Sequence, residues 1–333
     1  MSGMRENKQT KEHLRYLQSL PLDMKVRLTQ QRIHEWVREY GEDGVYVSFS
    51  GGKDSNVLLD IVRGLYPGVP AVFVDTGLEY PEIREFVNTV DNVVWLKPEM
   101  PFNKVIRTYG YPVIGKEISK KIHYAKNGAK WAKKYVEGFD CYGNKGSRYS
   151  IERYAYLLNA PFDVSDYCCT VMKKRPTAQY SKSTGRMPFV ATMAQESLMR
   201  EQAWLKNGCN AFESNHPKST PMSFWTEQDV LLYTHTHKLR YCKEIYGDIV
   251  YDCDDPEQAR LEDATTLPLK TTGARRTGCM FCMFGVQREA HPNRFERMKI
   301  THPKQWDYCI NKLGCGAVMD YIGVTYGKDE NNG

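Results

Sequence analysis

The run Val45-Tyr46-Val47-Ser48-Phe49-Ser50-Gly51-Gly52-Lys53-Asp54-Ser55-Asn56-Val57-Leu58-Leu59-Asp60-Ile61-Val62 decides the fold. Residues 45–49 are a short β-rich stretch, a Gly-Gly turn follows, and a helix is expected from Asn56 to Tyr66, where Val57, Leu58, Ile61, Val62 and Leu65 recur at helical spacing. The pattern predicts strand, loop, helix. Outward from it, a buried strand is expected at Ala71–Val74 with a polar stop at Asp75-Thr76, a helix over 81–90, and a third strand at Val93–Leu96. Strands alternating with helices at this spacing call for a parallel sheet with right-handed crossovers. A further apolar strand is expected at 188–192, ahead of a helix starting near Glu196. The expected fold class is α/β: a doubly wound, mostly parallel sheet with helices on both faces and a helical C-terminal addition.

Residues 1–40 place Met24, Val26, Leu28, Ile33, Trp36 and Val37 at helical spacing, which predicts one or two amphipathic helices serving as scaffold or dimer surface, with a homodimer expected. The expected divisions are this helical segment, a nucleotide-binding α/β domain over 41–250, and a C-terminal helical region over 251–333 that carries Cys-x2-Cys. Residues 252–277, with acidic and basic ends, are expected to form a surface excursion.

The 333 residues are 41% hydrophobic and suffice for one large domain or two small ones. Lys and Arg number 46 against 40 Asp and Glu, a net of +6. That is too even for a surface wholly devoted to polyanions, but it leaves room for one basic face. Apolar runs such as 69–74 fall far short of the roughly 18 residues that span a bilayer. The charged first dozen residues lack the apolar heart of a secretion signal. A cytoplasmic protein is expected, so the ten cysteines are expected as thiols or metal ligands rather than disulfides.

Ser50-Gly51-Gly52-Lys53-Asp54-Ser55 lies at the carboxyl end of the first strand, where open α/β sheets bind ligands. Two glycines let the main chain turn tightly and approach a ligand. The next helix presents unpaired N–H groups and the positive end of its dipole. Lys53 adds a charge, and Ser48, Ser50 and Ser55 add hydroxyls, with Phe49 in the same turn. The set reads as a phosphate cradle distinct from the Walker loop, whose Gly-x4-Gly-Lys spacing is absent. Six specified residues arise by chance about once in 10⁵ chains of this length. An ordinary Gly-Gly turn is the weaker reading.

Two cysteine pairs stand out, Cys168-Cys169 and Cys279-Met280-Phe281-Cys282. A Cys-x2-Cys turn converges two thiolates, and a second pair completes a four-sulfur site. Zinc would draw its sulfurs to roughly 3.8 Å from one another around one point. Neighbouring cysteines are expected to diverge and to suit a bulkier cluster. A 4Fe-4S cluster is the first expectation and zinc the second. Nothing is assigned to Cys141, Cys209, Cys242, Cys253, Cys309 or Cys315. Lys116, Lys120, Lys121, Lys126, Lys130, Lys133 and Lys134 crowd a helix-compatible stretch that reads either as a solvated face or as a phosphate-facing one.

The loop resembles the PP-loop of the adenine nucleotide α-hydrolase superfamily, whose members bind ATP and split it between the α and β phosphates. That resemblance places Asp75 and Thr76 beside the adenosine and gives Asp54 a Mg²⁺ on the pyrophosphate. Over about residues 30–300 the order of segments is similar to the phosphoadenosine phosphosulfate reductase family. It runs through Val74-Asp75-Thr76-Gly77, Cys168-Cys169 with Lys173-Lys174-Arg175-Pro176, Gln195-Glu196-Ser197 with Arg200, Trp225 to Val230, and Thr277-Gly278-Cys279-x2-Cys282. In its cluster-bearing members the double cysteine pair ligates a 4Fe-4S centre. The tail from Arg294 to Gly323 looks like a subgroup of uncharacterised bacterial and phage members. Reductases of the family usually have an altered phosphate loop and a C-terminal nucleophilic cysteine, whereas this sequence keeps the loop intact and lacks that ending. A Gly-x-Arg found in many members reads Ala191-Thr192-Met193, so its anion contact is absent or passes to Arg200, Arg175 or Lys116.

The resemblance implies an ATP pyrophosphatase of the sulfur-handling kind with Lys53 and Asp54 as catalytic residues. The acceptor is expected to be nucleic acid or protein, with the lysines at 116–134 as a landing strip beside Trp131, Tyr135 and Tyr142. The alternatives are a reductase of adenylyl sulfate or phosphoadenylyl sulfate using Cys315 or Cys309, and a non-catalytic nucleotide-sensing module.

Overall fold

The structure, a computed structural model, describes residues 9–147, 149–252 and 267–328. Thr10 caps α1 (Lys11–Ser19) by accepting the His13 amide, and α2 (Leu22–Tyr40) follows. The α2 residues Ile33, Trp36 and Val37 are buried in the core, as their helical spacing dictates. Lys25 of the same helix is also buried, and both carboxylate oxygens of Asp229 receive its ammonium, at 2.8 and 2.7 Å. A charge at this depth persists because its partner is so fully engaged.

The chain continues through β1 (Val45–Ser48), α3 (Lys53–Leu65), β2 (Ala71–Val74), α4 (Pro81–Asn88), β3 (Val93–Leu96), α5 (Phe102–Tyr109), β4 (Val113–Ile114), α6 (Lys116–Lys126) and α7 (Lys130–Val136). Next come α8 (Tyr167–Cys169), α9 (Arg175–Thr184), β5 (Met187–Val190), α10 (Leu198–Asn207), β6 (Asn210–Ala211), β7 (Lys218–Ser219), α11 (Glu227–Thr236) and α12 (Lys243–Tyr246). The strands β8 (Ile249–Tyr251), β9 (Leu269–Thr271) and β10 (Met283–Phe284) follow, then helices at Arg294–Thr301, Pro303–Asp307 and Cys315–Tyr321.

Six strands form one sheet in the order β3-β2-β1-β5-β7-β6. All neighbours are parallel except β6 and β7. The chain leaves β1 toward β2 and β3 on one side and returns to β5 on the other, pairing Val45 with Met187 through Ser48 with Val190. This reversal is the switch point at which such sheets take ligands, and the Gly-Gly loop leaves β1 there. The α/β, mostly parallel architecture read from the sequence is the one observed.

The chain packs as two compact units, each assembled from three separate stretches. The first comprises Met1–Asp75, Tyr80–Leu96 and Thr177–Thr277 and holds the whole six-stranded sheet. The second comprises Thr76–Glu79, Lys97–Pro176 and Gly278–Gly333. In it β4 pairs in parallel with β10, Val113 with Met283 and Ile114 with Phe284, tying two distant stretches together. Neither unit is contiguous, so boundaries drawn in sequence order do not mark them.

Several elements differ from the sequence expectation. The helix expected from Asn56 starts at Lys53, because the loop residues themselves form its first turn. The lysine-rich stretch makes two helices, broken after Lys126 where Gly128 takes φ +87°. The helix expected near Glu196 begins at Leu198, capped by the Ser197 hydroxyl. Of the expected excursion at 252–277, residues 253–266 lie outside the described residues, while β9 pairs antiparallel with β8. No helix among the described residues is long and apolar enough to cross a membrane.

Candidate functional site

The loop between β1 and α3 is shaped by its glycines. Gly51 holds φ +70°, and a Cβ on it would meet Val87 Cγ2 at 2.7 Å and Ile83 Cγ2 at 2.8 Å, so only glycine fits. Gly52 caps α3 in an extended conformation without any side-chain capping bond. A Cβ on Gly52 would lie 3.2 Å from the Tyr246 hydroxyl and 3.3 Å from Ser50 Oγ and from Thr277 Oγ1. Hydroxyls therefore surround the turn. The Ser50 amide donates to Ser55 Oγ at 3.2 Å, the Gly52 amide to Ser50 Oγ at 3.3 Å and the Lys53 amide to the Tyr246 hydroxyl at 3.3 Å. These bonds are at the long end of the normal range, and rotating hydroxyls are partners that a phosphate oxygen displaces at little cost.

Lys53 is buried, with its ammonium 3.0 Å from Asp54 Oδ1 and 3.4 Å from Glu227 Oε1. Glu227 in turn accepts from Arg275 Nε at 2.8 Å. Burial pushes the Glu227 carboxyl up, but the Arg275 hydrogen bond and the Lys53 charge outweigh it and hold the group below the usual carboxylate range. Burial pushes the Tyr246 phenol up to about 12, so it stays protonated beside the loop. Arg200 and Arg276 both pair with Glu196. Desolvation lowers the Arg200 pKa, the neighbouring Arg276 charge lowers it further, and the Asp54 charge opposes both. The loop thus lies among Lys53, Arg200, Arg275 and Arg276, partly balanced by Asp54, Glu196 and Glu227.

Other residues singled out in the sequence fall differently. Ser48 ends β1, while Phe49 is buried in the apolar core with its amide bonded to the Val72 carbonyl at 2.9 Å. The Asp75 carboxylate accepts from Arg84 at 2.8 Å. Thr76 belongs to the second unit, its hydroxyl and amide both bonded to the Glu79 carboxylate. Lys116 also belongs to the second unit and acts electrostatically on Cys169.

The four paired cysteines come together in the second unit. Cys168, Cys169, Cys279 and Cys282 line one small cavity of about 20 Å³ with Lys173 and the apolar Leu78, Phe102 and Phe281. Cys168 and Cys169 lie on α8, which widens into a π-helical turn over Thr170–Lys174 before α9. Such turns recur at functional sites. The expected divergence of the neighbouring cysteines is not observed: their sulfurs are 3.9 Å apart, because consecutive positions on this short turn both face the cavity. Among the described residues, no three His, Cys, Asp or Glu side chains are arranged to hold a single metal ion. The Cys168 hydrogen bond lowers the Cys169 thiol to about 6 against the opposing effect of burial, with Lys116, Lys173 and Lys174 assisting. Cys168 is pushed up by giving that bond and by burial. Burial raises Cys279 to about 11. Lys173 sits 3.8 Å from Glu79, and although burial disfavours its charge, Cys279 and Glu79 more than restore it.

The sequence profile of the phosphoadenosine phosphosulfate reductase domain matches residues 44–110, which include the whole glycine loop and Asp75. A phosphoadenosine 5'-phosphosulfate reductase of Xanthomonas axonopodis pv. citri is 25% identical over 206 residues, 62% of this chain and 68% of that protein. Over these stretches the chain is similar to the phosphoadenosine phosphosulfate reductase family. A second relative, an adenosine 5'-phosphosulfate reductase of Geobacillus kaustophilus, is 35% identical over 69 residues, 21% of this chain and 26% of that protein. Among solved structures, a phosphoadenylyl-sulfate reductase from Candida auris in a phosphate complex aligns over 72% of this chain and 92% of its own with 14% identity and a TM-score of 0.36.

Glu227, Tyr246, Thr277 and Arg276 surround the family's glycine loop here, and sequence reasoning assigned them no role at it. Glu227 and Thr277 stood only inside quoted family segments, and Tyr246 carried no motif at all. Only the packing of distant stretches of chain against the loop reveals them. Cys309 and Cys315, the cysteines weighed as nucleophiles, are fully buried, and Cys309 is pushed up by its hydrogen bond with Cys315 and by burial.

Proposed function

We propose that this protein is an ATP pyrophosphatase that transfers the adenylyl group to an acceptor. An acceptor oxygen attacks the α-phosphorus, the bond to the bridging oxygen of the β-phosphate breaks, and pyrophosphate leaves. The observation that carries the reading is the cradle itself: an α-helix N-terminus, two glycines and amides held only by exchangeable hydroxyls, beside a buried Lys53. Backbone amides and Lys53 stabilise charge building on the departing pyrophosphate. Arg200, which interacts with Asp54, and its neighbour Arg276 supply further positive charge. Asp54 would hold a Mg²⁺, which would offset charge on the phosphates.

The chemistry of the four thiols suits a sulfur-ligated metal group: they share one cavity, three lysines act on Cys169, and the wall is otherwise apolar. We assign them a 4Fe-4S cluster, because the same double pair ligates one in the cluster-bearing members that the sequence resembles. Such a cluster would supply electron storage or a sulfur-binding iron corner. A zinc tetrathiolate is the competing occupant: the 3.9 Å spacing of Cys168 and Cys169 matches it, while the absence among the described residues of three side chains arranged around one ion weighs against it.

The curated relatives are named as nucleotide-sulfate reductases, which supports a second reading, reduction of adenylyl sulfate or its 3'-phosphate. The burial of Cys309 and Cys315 weighs against either as the attacking thiol. Incubating the protein with labelled Mg-ATP and separately with adenylyl sulfate distinguishes the readings. With water as the attacking oxygen in place of an acceptor, AMP and pyrophosphate from ATP are expected. Sulfite from adenylyl sulfate, abolished by Cys315→Ser, would install the reductase instead.

A further inference from the structure

Residues 116–156 contain ten Lys and Arg against four Asp and Glu, a surplus of six that equals the formal net charge of the entire chain. Over the rest of the sequence the charges cancel. The whole stretch lies in the second unit. Ala132 and Val136, four residues apart, form the buried face of α7, which turns Lys130, Trp131, Lys133 and Lys134 outward. Trp131 is 46% exposed, Tyr149 51% and Tyr142 87%. The Trp131 ring lies 5.3 Å from Tyr124 and 6.3 Å from Tyr135. Lys121 sits 3.7 Å over the Tyr135 ring and donates to the Tyr149 carbonyl at 3.2 Å, so these groups share one continuous surface.

The charges on this surface are poorly compensated. Lys126 pairs with Asp163 at 3.2 Å, but Lys130, Lys133 and Lys134 have no ion-pair partner among the described residues. Adjacent uncompensated lysines repel one another, and an exposed indole contributes little to a core. A polyanion that also offers flat π faces satisfies both features. Single-stranded nucleic acid does so, since its phosphates are charged and its bases are free to stack. A duplex hides the faces of its bases. A lipid surface calls for an apolar helix face, whereas Ala132 and Val136 of α7 point inward and Trp131 stands exposed among lysines.

We propose that α6, α7 and the turns at 138–147 bind single-stranded nucleic acid, with Lys130, Lys133 and Lys134 at phosphates and Trp131 and Tyr142 stacked on bases. The proposal goes beyond the nucleotide chemistry assigned to the first unit and does not depend on it.

The test uses the full chain and a fluorescein-labelled mixed-sequence oligonucleotide of about 20 nucleotides, as RNA and as DNA, followed by anisotropy between about 50 and 200 mM salt. Binding is expected to weaken steeply with salt. Replacing Lys130, Lys133 and Lys134 together by Ala should cost at least about tenfold in affinity and flatten the slope of log K against log salt by about two. Trp131→Ala should cost about fivefold or more while leaving that slope unchanged. Tyr142→Ala provides a second stacking variant at a position with no packing to lose. Thermal melts like that of the parent protein would show that the variants fold. The proposal is overturned by unchanged affinity in the lysine variant, by a duplex that binds as tightly with Trp131→Ala indifferent, or by binding to phosphatidylserine vesicles but to neither oligonucleotide.

Discussion

Lys53 and Glu227 are far apart in sequence yet joined in a buried ion pair at 3.4 Å. Lys53→Ala removes a cation from the cradle and leaves Asp54 and Glu227 less compensated, so Mg-ATP affinity should fall at least about tenfold by calorimetry. Glu227 also makes stability depend on pH with a definite sign. Its folded pKa is depressed, so its contribution is present above the ordinary carboxylate value of about 4.3 and is lost as pH falls through the lower folded value. Thermal melts between about pH 6 and pH 3 should therefore decline less steeply for Glu227→Gln than for the parent protein. An equal acid slope would show that the carboxyl is not held low. The glycines, Lys53 and Asp54 were legible in the sequence because the loop is local. The partners of Lys53 were not, because a buried pair between distant segments leaves no spacing to read.

The turn between β1 and α3 is the element on which the nucleotide reading rests. Gly51→Ala would force a side chain into φ +70° and against Val87 and Ile83. A loss of roughly 1–3 kcal/mol is expected from strain and overpacking, read as a lower denaturation midpoint with an unchanged m-value. An undiminished midpoint would mean that the turn relaxes freely. Strands β1, β2, β3 and β5 were legible because buried parallel strands are short apolar runs between turn signals. The start of α3 was missed because Lys53, Asp54 and Ser55 carry no apolar periodicity, although they are its first turn. The π-helical turn after Cys169 was also invisible, since Thr170–Lys174 reads like any helical segment.

The two units hold different chemistry: the glycine loop belongs to the first and the four paired cysteines to the second. Cys282→Ser should accordingly lose bound metal, measured by elemental analysis and the visible spectrum of anaerobically purified protein, while Mg-ATP affinity stays within about twofold of the parent. Loss of both together would mean that the cysteines also shape the nucleotide site. Iron with a brown colour supports the cluster, and one zinc per chain in a colourless protein replaces it. The mostly parallel, doubly wound sheet followed from the alternation of elements, but the strand order and the assembly of each unit from three stretches did not. Pairings such as β4 with β10 join two-residue strands too short to announce themselves.

The central claim is that the glycine turn at the end of β1 grips the phosphates of an adenine nucleotide. Calorimetric titration of Mg-ATP into the parent protein and into Lys53→Ala tests it most directly. Saturable binding to the parent, at least about tenfold weaker in the variant, is predicted. No heat of binding, or the same affinity in both proteins, would contradict it.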